Sequence, residues 1–406
     1  MTQNKHICYI SYDGITDPLG QSQVLPYITG INKILKVKFT IISFEKKSNK
    51  YKVSNQKKEL NQENINWVPL TYTKYPPILS TLLDIFKLNL ALKKVNFKKE
   101  INLIHCRSYI TSLSGLKFKS RYKIPFIFDM RGFYADERID GKIWNKNHFI
   151  YKNVYKYFKI KEHQFLQLSN HNISLTKAGK EEIESWNLQN LSPISTIPCC
   201  ADENLFKKEN IKEIRNELGI VDSDFIISYV GSIGTWYMLD EMLDFFKILS
   251  QKKSTSKFLF ITKDNPDLIF QNCLKKNIPK SSILVKESSR EMMPSYIGLS
   301  DFSIFFILPL YSKIASSPTK MGEIMNLGIS IICNSGVGDV EKVINECMPE
   351  LLVNEFNDQE YERIVDLILT NYKVNKSTIV KTSKKYFSLT KGVKKYANIY
   401  NQILKL

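Results

Sequence analysis

The stretch Phe225-Ile226-Ile227-Ser228-Tyr229-Val230-Gly231-Ser232-Ile233-Gly234 opens the second half of the chain much as His6-Ile7-Cys8-Tyr9-Ile10 opens the first. In both places a short apolar run ends in a polar loop containing glycine. A helical pattern then follows, Leu239 to Leu249 in one case and Val24 to Leu35 in the other. An apolar run too short for a helix and bounded by turn residues reads as a strand buried on both faces. Val37–Phe44, Leu103–Cys106, Ile124–Phe128 and His171–Leu175 are further runs of this kind, with helical patterns around 78–99, 108–118, 147–168 and 177–186 between them. Beyond Val230 come Phe258–Thr262, Ser282–Val285, Phe302–Phe306, Ile329–Cys333 and Leu351–Val353. Strands alternating with helices imply parallel sheets covered on both faces. Two such series predict an α/β chain of two Rossmann-like, doubly wound domains with a hinge near 190–203. The stretch from Val374 to Leu406 reads as helical and would return across that hinge. The predicted domains are therefore 1–190 with 385–406, and 203–384.

Composition agrees with a folded, two-domain protein: 406 residues, 43% hydrophobic and 12% aromatic. The seven cysteines (8, 106, 199, 200, 273, 333 and 347) are scattered, with no C-x-x-C pair. That pattern predicts a reduced, cytoplasmic setting without a disulfide framework or zinc site. Met1 to His6 leads straight into a strand, so no signal peptide is expected. No window approaches the ~18 unbroken apolar residues of a membrane span. The richest, Pro77 to Leu92, is broken by Asp84 and Lys87.

The net charge of +18 is unevenly placed. Residues 1–200 hold 31 basic and 15 acidic side chains, against 27 and 25 in 201–406. The excess gathers at Lys46, Lys47, Lys50, Lys52, Lys57 and Lys58 and at Lys93, Lys94, Lys98 and Lys99. A third group, Lys152, Lys156, Lys159 and Lys161, interleaves with Phe149, Tyr151, Tyr155, Tyr157 and Phe158. Such a face suits an anionic bilayer, and a solvated surface is the plain alternative. Nucleic acid is not expected as a partner, because no helix-turn-helix, RNP-type, zinc-finger or arginine-rich signature is present.

Chemistry concentrates where strands end. Ser316-Ser317-Pro318-Thr319-Lys320-Met321-Gly322-Glu323 places hydroxyls, a proline and a lysine ahead of a short helix, with a carboxylate one turn inside. A helix start offers free N–H groups to an anion. Ser317, Thr319 and Lys320 add donors to phosphate, and Glu323 can accept from two neighbouring hydroxyls, as on a ribose. A nucleotide-diphosphate compound fits this set, and a capped helix leading to a buried strand is the plain reading. Gly20, in the loop after the first strand, could admit a phosphate. Asp129-Met130-Arg131 and Asp136-Glu137 follow Ile124–Phe128. There Arg131 could neutralise a leaving diphosphate, while Asp129, Asp136 and Glu137 could hold sugar hydroxyls or steer an acceptor. Internal ion pairing is the alternative for this group. Gly231, Ser232 and Lys263 complete the candidate donor contacts. Asp222-Ser223-Asp224 imitates a metal clamp but precedes a strand and reads as a loop, and the five histidines show no metal spacing.

Tyr12 to Pro26, His105 to Tyr109, Phe128 to Glu137, Gly231 to Met242 and Ser316 to Asp339 together resemble the family 4 glycosyltransferases of GT-B fold, most closely a bacterial branch that builds surface polysaccharide. Ser174 to Gly179 and Ile197 to Asp202 are similar to that family's interdomain region. The resemblance covers nearly the whole chain, most specifically Ser317 to Asp339. It implies a metal-independent, retaining transfer of a hexosyl group from a UDP- or GDP-linked sugar, in a cleft between the two domains. The acceptor would be a glycan or a lipid-linked glycan, as in O-antigen, lipopolysaccharide, capsule or exopolysaccharide synthesis, at the cytoplasmic face of the membrane. By position Glu323 becomes the ribose-binding glutamate, Ser317, Pro318, Thr319 and Lys320 the diphosphate contacts, and Gly20 the N-terminal glycine loop. Arg131, Asp129 and Lys320 are then the candidate catalytic residues, and no cofactor is expected. The chain departs from the family at Ala315, where a glutamate contacting the sugar is usual, and at Ser232, where arginine is usual. It also lacks the common histidine near Asp129. Two other readings stay open: a sugar-nucleotide epimerase and a non-catalytic binding protein on the same fold.

Overall fold

The computed structural model describes residues 5–206, 211–370, 372 and 374–406; the reading of the first residues as free of a signal peptide falls largely outside them. Seven strands form the first sheet: β1 (His6–Ser11), β2 (Lys38–Glu45), β3 (Ile65–Thr71), β4 (Leu103–Arg107), β5 (Phe126–Asp129), β6 (His171–Ser174) and β7 (Ile194–Thr196). They pair in parallel in the order β3-β2-β1-β4-β5-β6-β7. Every residue of β1 is buried, as its unbroken apolar run requires of a central parallel strand. The connecting helices are α1 (Pro18–Gln23), α2 (Leu25–Leu35), α3 (Lys50–Gln62), α4 (Leu79–Lys98), α5 (Ser108–Tyr122), α6 (Tyr134–Asp140), α7 (Phe149–Leu168) and α8 (Lys177–Ser185).

The second sheet contains β8 (Phe225–Val230), β9 (Ser256–Ile261), β10 (Ile283–Lys286), β11 (Phe302–Phe305), β12 (Ser330–Asn334) and β13 (Leu352–Val353), parallel and ordered β10-β9-β8-β11-β12-β13. Around it run α9 (Ile211–Glu217), α10 (Leu239–Lys252), α11 (Pro266–Lys275), α12 (Met293–Ile297), α13 (Thr319–Asn326), α14 (Val340–Asn345), α15 (Asp358–Leu369) and α16 (Lys376–Tyr386). The last helix, α17 (Leu389–Leu404), packs on α2 of the first sheet's layer. Gly30 makes that contact possible, since a Cβ there would meet Val393 Cγ2 at 2.8 Å, and the Tyr27 and Tyr396 rings meet edge to face at 5.3 Å. The chain thus divides into two units, residues up to Pro198 with Leu389–Leu406, and Cys199–Ser388.

The structure adds β3, β7, α3 and α6 to the elements read from the sequence, and it changes the setting of Gly20, Asp136 and Glu137. β3 was not read as a strand, because Asn66 and Pro69 interrupt it; it is an edge strand, where a missing N–H is tolerated. The helix expected from Val24 begins at Pro18, broken at Val24, so Gly20 lies inside α1 instead of a loop. Asp136 and Glu137 occupy the first turn of α6, a helix the sequence reading did not expect, where acidic groups suit the helix dipole.

Candidate functional site

In the second unit the chain winds from β8 through β9 to β10, then returns to place β11 on the other side of β8. Open α/β sheets take ligands beyond the strand ends at such a reversal of order. Gly231 leaves β8 there with φ 113°, a conformation L side chains rarely adopt. A Cβ at Gly231 would sit 3.2 Å from Lys320 Nζ, so the glycine also makes room for the ammonium. The loop after it is pinned where Met238 N–H donates to Phe306 O (3.0 Å) and Leu308 N–H to Trp236 O (2.9 Å). That pairing brings Tyr237 over the crevice.

Lys320, on the first turn of α13, is buried. Its Nζ lies 3.7 Å from the Tyr237 ring centre and 4.1 Å from that of Tyr229, with no hydrogen-bond partner. Burial holds its pKa well below the ordinary lysine range, with Glu323 only partly opposing. Glu323, one turn on, accepts from Arg290 Nη1 at 2.5 Å. Burial pushes its carboxyl up in pKa, and Arg290 and Lys320 pull the other way. Arg290 is itself stacked 5.0 Å over Phe206. Pro318 gives α13 no side-chain cap, and Met321 N–H donates to Pro318 O (3.1 Å), which leaves the Thr319 and Lys320 N–H groups at the helix start for an acceptor. The Ser317 hydroxyl accepts from Cys199 N–H (3.1 Å) and keeps its own proton to donate. Lys263 lies exposed at the end of β9, paired with Glu287 at 3.3 Å, and the Ser232 carbonyl accepts from the Tyr229 hydroxyl.

Lys320, Glu323, Gly231 and Ser317 thus converge within one unit as an uncapped helix start beside a buried cation. Two basic residues that sequence reading missed join the same side of the sheet. Arg290 follows β10, and Lys313, buried in the 3-10 turn Tyr311–Ala315, holds its ammonium 3.6 Å over Trp236. Ala315 closes that turn, also buried. The carboxylate of Asp224 accepts from Val221 N–H (2.9 Å) within the turn before β8, so the D-x-D segment serves its own backbone.

The first unit places Asp129 at the end of β5, fully enclosed. Its Oδ2 receives the Tyr396 hydroxyl (3.0 Å) and His105 Nε2 (3.3 Å), and Oδ1 faces Arg131 Nη1 at 3.8 Å. A carboxylate can only accept, so His105 carries its proton on Nε2 and Nδ1 accepts from the Tyr400 hydroxyl at 2.6 Å. Burial lowers the His105 pKa, keeping it neutral against the pull of Asp129. Arg131 has φ 61°, the left-handed region, followed by Gly132 at 123°. Such strain in a non-glycine residue at a strand end is a common mark of a working site. His105, Tyr396 and Tyr400 were not singled out as site residues in the sequence, since nothing local marks them.

Two candidates acquire different roles. Gly20 is enclosed by its own loop: a Cβ there would meet Gly14 O and Ile15 Cα, each at 2.3 Å. The loop over it hangs on Glu45, whose carboxylate receives Ile15 N–H (2.8 Å) and the Ser43 hydroxyl (2.6 Å). Gly20 therefore lets backbone meet backbone instead of admitting a phosphate. Gly20→Ala is expected to cost about 1–3 kcal/mol through overpacking, checked by urea unfolding. A wild-type midpoint would remove this role. Asp136 turns inward, accepting from the Tyr155 hydroxyl (2.8 Å) and pairing with Lys159 (3.0 Å). Lys159 also pairs with buried Glu162, which receives the Tyr109 hydroxyl. Both residues are thereby committed to internal ion pairing, and Lys159 leaves the basic face on which the sequence put it. Glu137 is half-buried on α6.

Residues 38–205 match the family model described as Glycosyltransferase Family 4, and residues 210–385 the model Glycosyl transferases group 1. No curated protein matches the chain. Among solved structures, sucrose-phosphate synthase from Thermosynechococcus elongatus superposes with a TM-score of 0.75 at 13% identity, over 99% of each chain. Anabaena HepE in complex with UDP-glucose gives 0.69 at 12% identity, over 99% of this chain and 100% of that one. A UDP-N-acetylglucosamine 2-epimerase gives 0.62 at 10%, over 100% and 96%. At such identities the structures speak for the fold, which synthases and epimerases share. The two family models, end to end over most of the sequence, decide between them: the chain belongs to the family 4 glycosyltransferases of GT-B fold.

Proposed function

We propose that the protein transfers a hexosyl group from a UDP- or GDP-linked sugar to a glycan or lipid-linked acceptor, with retention of configuration and without a metal ion. The observation that carries this is the buried, unpartnered Lys320 ammonium at an uncapped helix start, against the backbone of Gly231. A desolvated cation held over ring faces, with no hydrogen-bond partner, suits an anion that arrives with the substrate. In the proposed reaction the acceptor oxygen attacks the anomeric carbon on the face from which the diphosphate departs. Negative charge then grows on phosphate, where Lys320 and the N–H groups of α13 stabilise it. Arg131, facing Asp129 at 3.8 Å, is the proposed counter-charge for the leaving diphosphate, and the leaving phosphate takes the acceptor proton. Glu323, oriented by Arg290, holds the ribose, with Ser317, Thr319, Ser232 and Lys263 around the phosphates and sugar. Glu137 faces the acceptor. The UDP-glucose bound by HepE supports a UDP-linked donor.

We further propose a role in surface-polysaccharide synthesis at the inner face of the cell membrane, by peripheral association with anionic lipid. Among the described residues no helix is long and apolar enough to cross a membrane.

The test is a thermal-shift and turnover screen of UDP-, GDP- and dTDP-sugars with EDTA present. A true donor raises the melting point and is consumed. An epimerase would convert the sugar with no acceptor, and indifference to every sugar nucleotide would sink the reading. Glu323→Ala is expected to raise donor KM about 10–100-fold, the loss of charge-assisted hydrogen bonds to ribose. An unchanged KM would take the ribose away from Glu323.

A further inference from the structure

The outward side of α4 is apolar where a helix covering a sheet should be polar. Its inner face buries Asp84, Leu88, Leu92 and Val95. Leu79, Leu82, Leu83, Phe86, Leu90 and Phe97 recur at helical spacing on the opposite face, with Leu79, Phe86 and Phe97 exposed by 64%, 60% and 94%. So long an uncovered stripe marks a contact surface. α4 and α7 both pack on α5, and α7 adds exposed Phe149 and Ile160.

Beside the stripe, between the flank of α4, the start of β2 and most of β3, lies a cavity of about 1070 Å³. Lys36, Lys38, Lys57, Lys94, Lys98 and Lys99 line it, Leu90 is shared with the stripe, and no lining residue is acidic. Its seventh lysine, Lys87, is paired with Asp84 at 2.8 Å. Lys38 and Lys99 both line the cavity and lie close enough to interact electrostatically. Two ammonium groups so placed repel unless an anion lies between them. Desolvation and Lys38 accordingly lower the Lys99 pKa. The cavity is lined by the start of β2 and most of β3, and neither Asp129 nor Arg131 lines it.

We propose that α4 and this cavity form a bilayer-docking site, with the stripe entering the acyl region and the lysines holding the phosphate of an anionic phospholipid headgroup. Only a bilayer offers phosphate and hydrocarbon side by side in this way; a nucleic acid would leave Phe86 and Phe97 without a partner. The proposal deepens the membrane association put forward above and rests on it.

The experiment is flotation of the full chain with phosphatidylcholine vesicles, with and without one-third phosphatidylglycerol. Binding is expected to the anionic vesicles, and Lys38→Glu with Lys99→Glu should lower it roughly tenfold or more. Phe86→Trp should show blue-shifted emission that brominated acyl chains quench. Donor consumption by each variant, measured without vesicles, reports folding and tests the glycosyltransferase reading separately. Anionic vesicles bound equally by the double variant, with Phe86→Trp unquenched, would overturn this site while leaving membrane association standing. No vesicle binding by the wild type would overturn both. A thermal shift with inorganic diphosphate, lost in the double variant and unaccompanied by vesicle binding, would assign the cavity to a soluble anion and overturn the lipid.

Discussion

Lys320→Met is expected to lower donor turnover by about 10²–10³-fold and, in the absence of ligand, to raise the melting temperature. The two effects have one cause. The ammonium is buried against Tyr229 and Tyr237 with no hydrogen-bond partner, so in its charged form the ligand-free protein bears a desolvation cost that a bound anion would relieve. Replacing buried charge with an apolar group of similar volume is commonly neutral or stabilising by about 1–4 kcal/mol. In a unit of this size each kcal/mol moves the melting point by about 2–4 °C. The sign of the pH dependence follows as well. Burial holds the folded pKa of Lys320 well below the ordinary 10.5, so between the two values the unfolded chain binds a proton that the folded chain lacks. Wild-type stability should therefore rise with pH through that window, and the methionine variant should lack this slope. A bound diphosphate favours the charged amine, so binding takes up a proton and donor KM should rise as pH climbs through the same window. Melting curves of both proteins and donor kinetics across alkaline pH check this. A methionine variant that melts several degrees lower, with turnover intact, would make Lys320 a structural residue.

The sequence marks Lys320 and Glu323 because both sit on one short helix that starts just after an apolar strand, a local pattern that fixes their spacing. What it leaves hidden is whatever reaches them from elsewhere in the chain. Arg290 meets Glu323 across 33 residues and lies in a loop with no motif. Tyr396 meets Asp129 across 267 residues, on a helix whose apolar face reads only as packing. The alternation of strands and helices gave away both sheets, because central parallel strands must be apolar on both faces. It failed at β3, where an edge position tolerates Pro69 and Asn66 and so breaks the pattern. Charge misled at Lys159 and Asp136, since a sequence cannot say whether a lysine on a mixed helix turns outward or toward a carboxylate.

Asp129→Asn is expected to cost about 2–4 kcal/mol of stability near neutral pH and to flatten the acid limb of unfolding. Burial alone would raise the Asp129 pKa, but Arg131, His105 and Arg107 outweigh it and hold the value at about 2, against an ordinary 3.8. That difference corresponds to roughly 2 kcal/mol. Because the folded value is the lower one, this stability is present above the ordinary value and drains away as pH falls from about 4 towards 2. Asparagine preserves the shape and an acceptor for the Tyr396 hydroxyl, yet removes the negative charge that faces Arg131, hence a cost beyond linkage alone. Tyr396→Phe is the discriminating control. It removes one hydrogen bond, worth about 1 kcal/mol, while the carboxylate stays ionised and the acid limb stays steep. Urea unfolding near neutrality and near pH 3 separates the cases. The asparagine variant should lose most of the wild-type difference between the two conditions, and the phenylalanine variant should keep it. Equal acid sensitivity in all three proteins would mean that Asp129 is not ionised in the fold and that another residue must position Arg131.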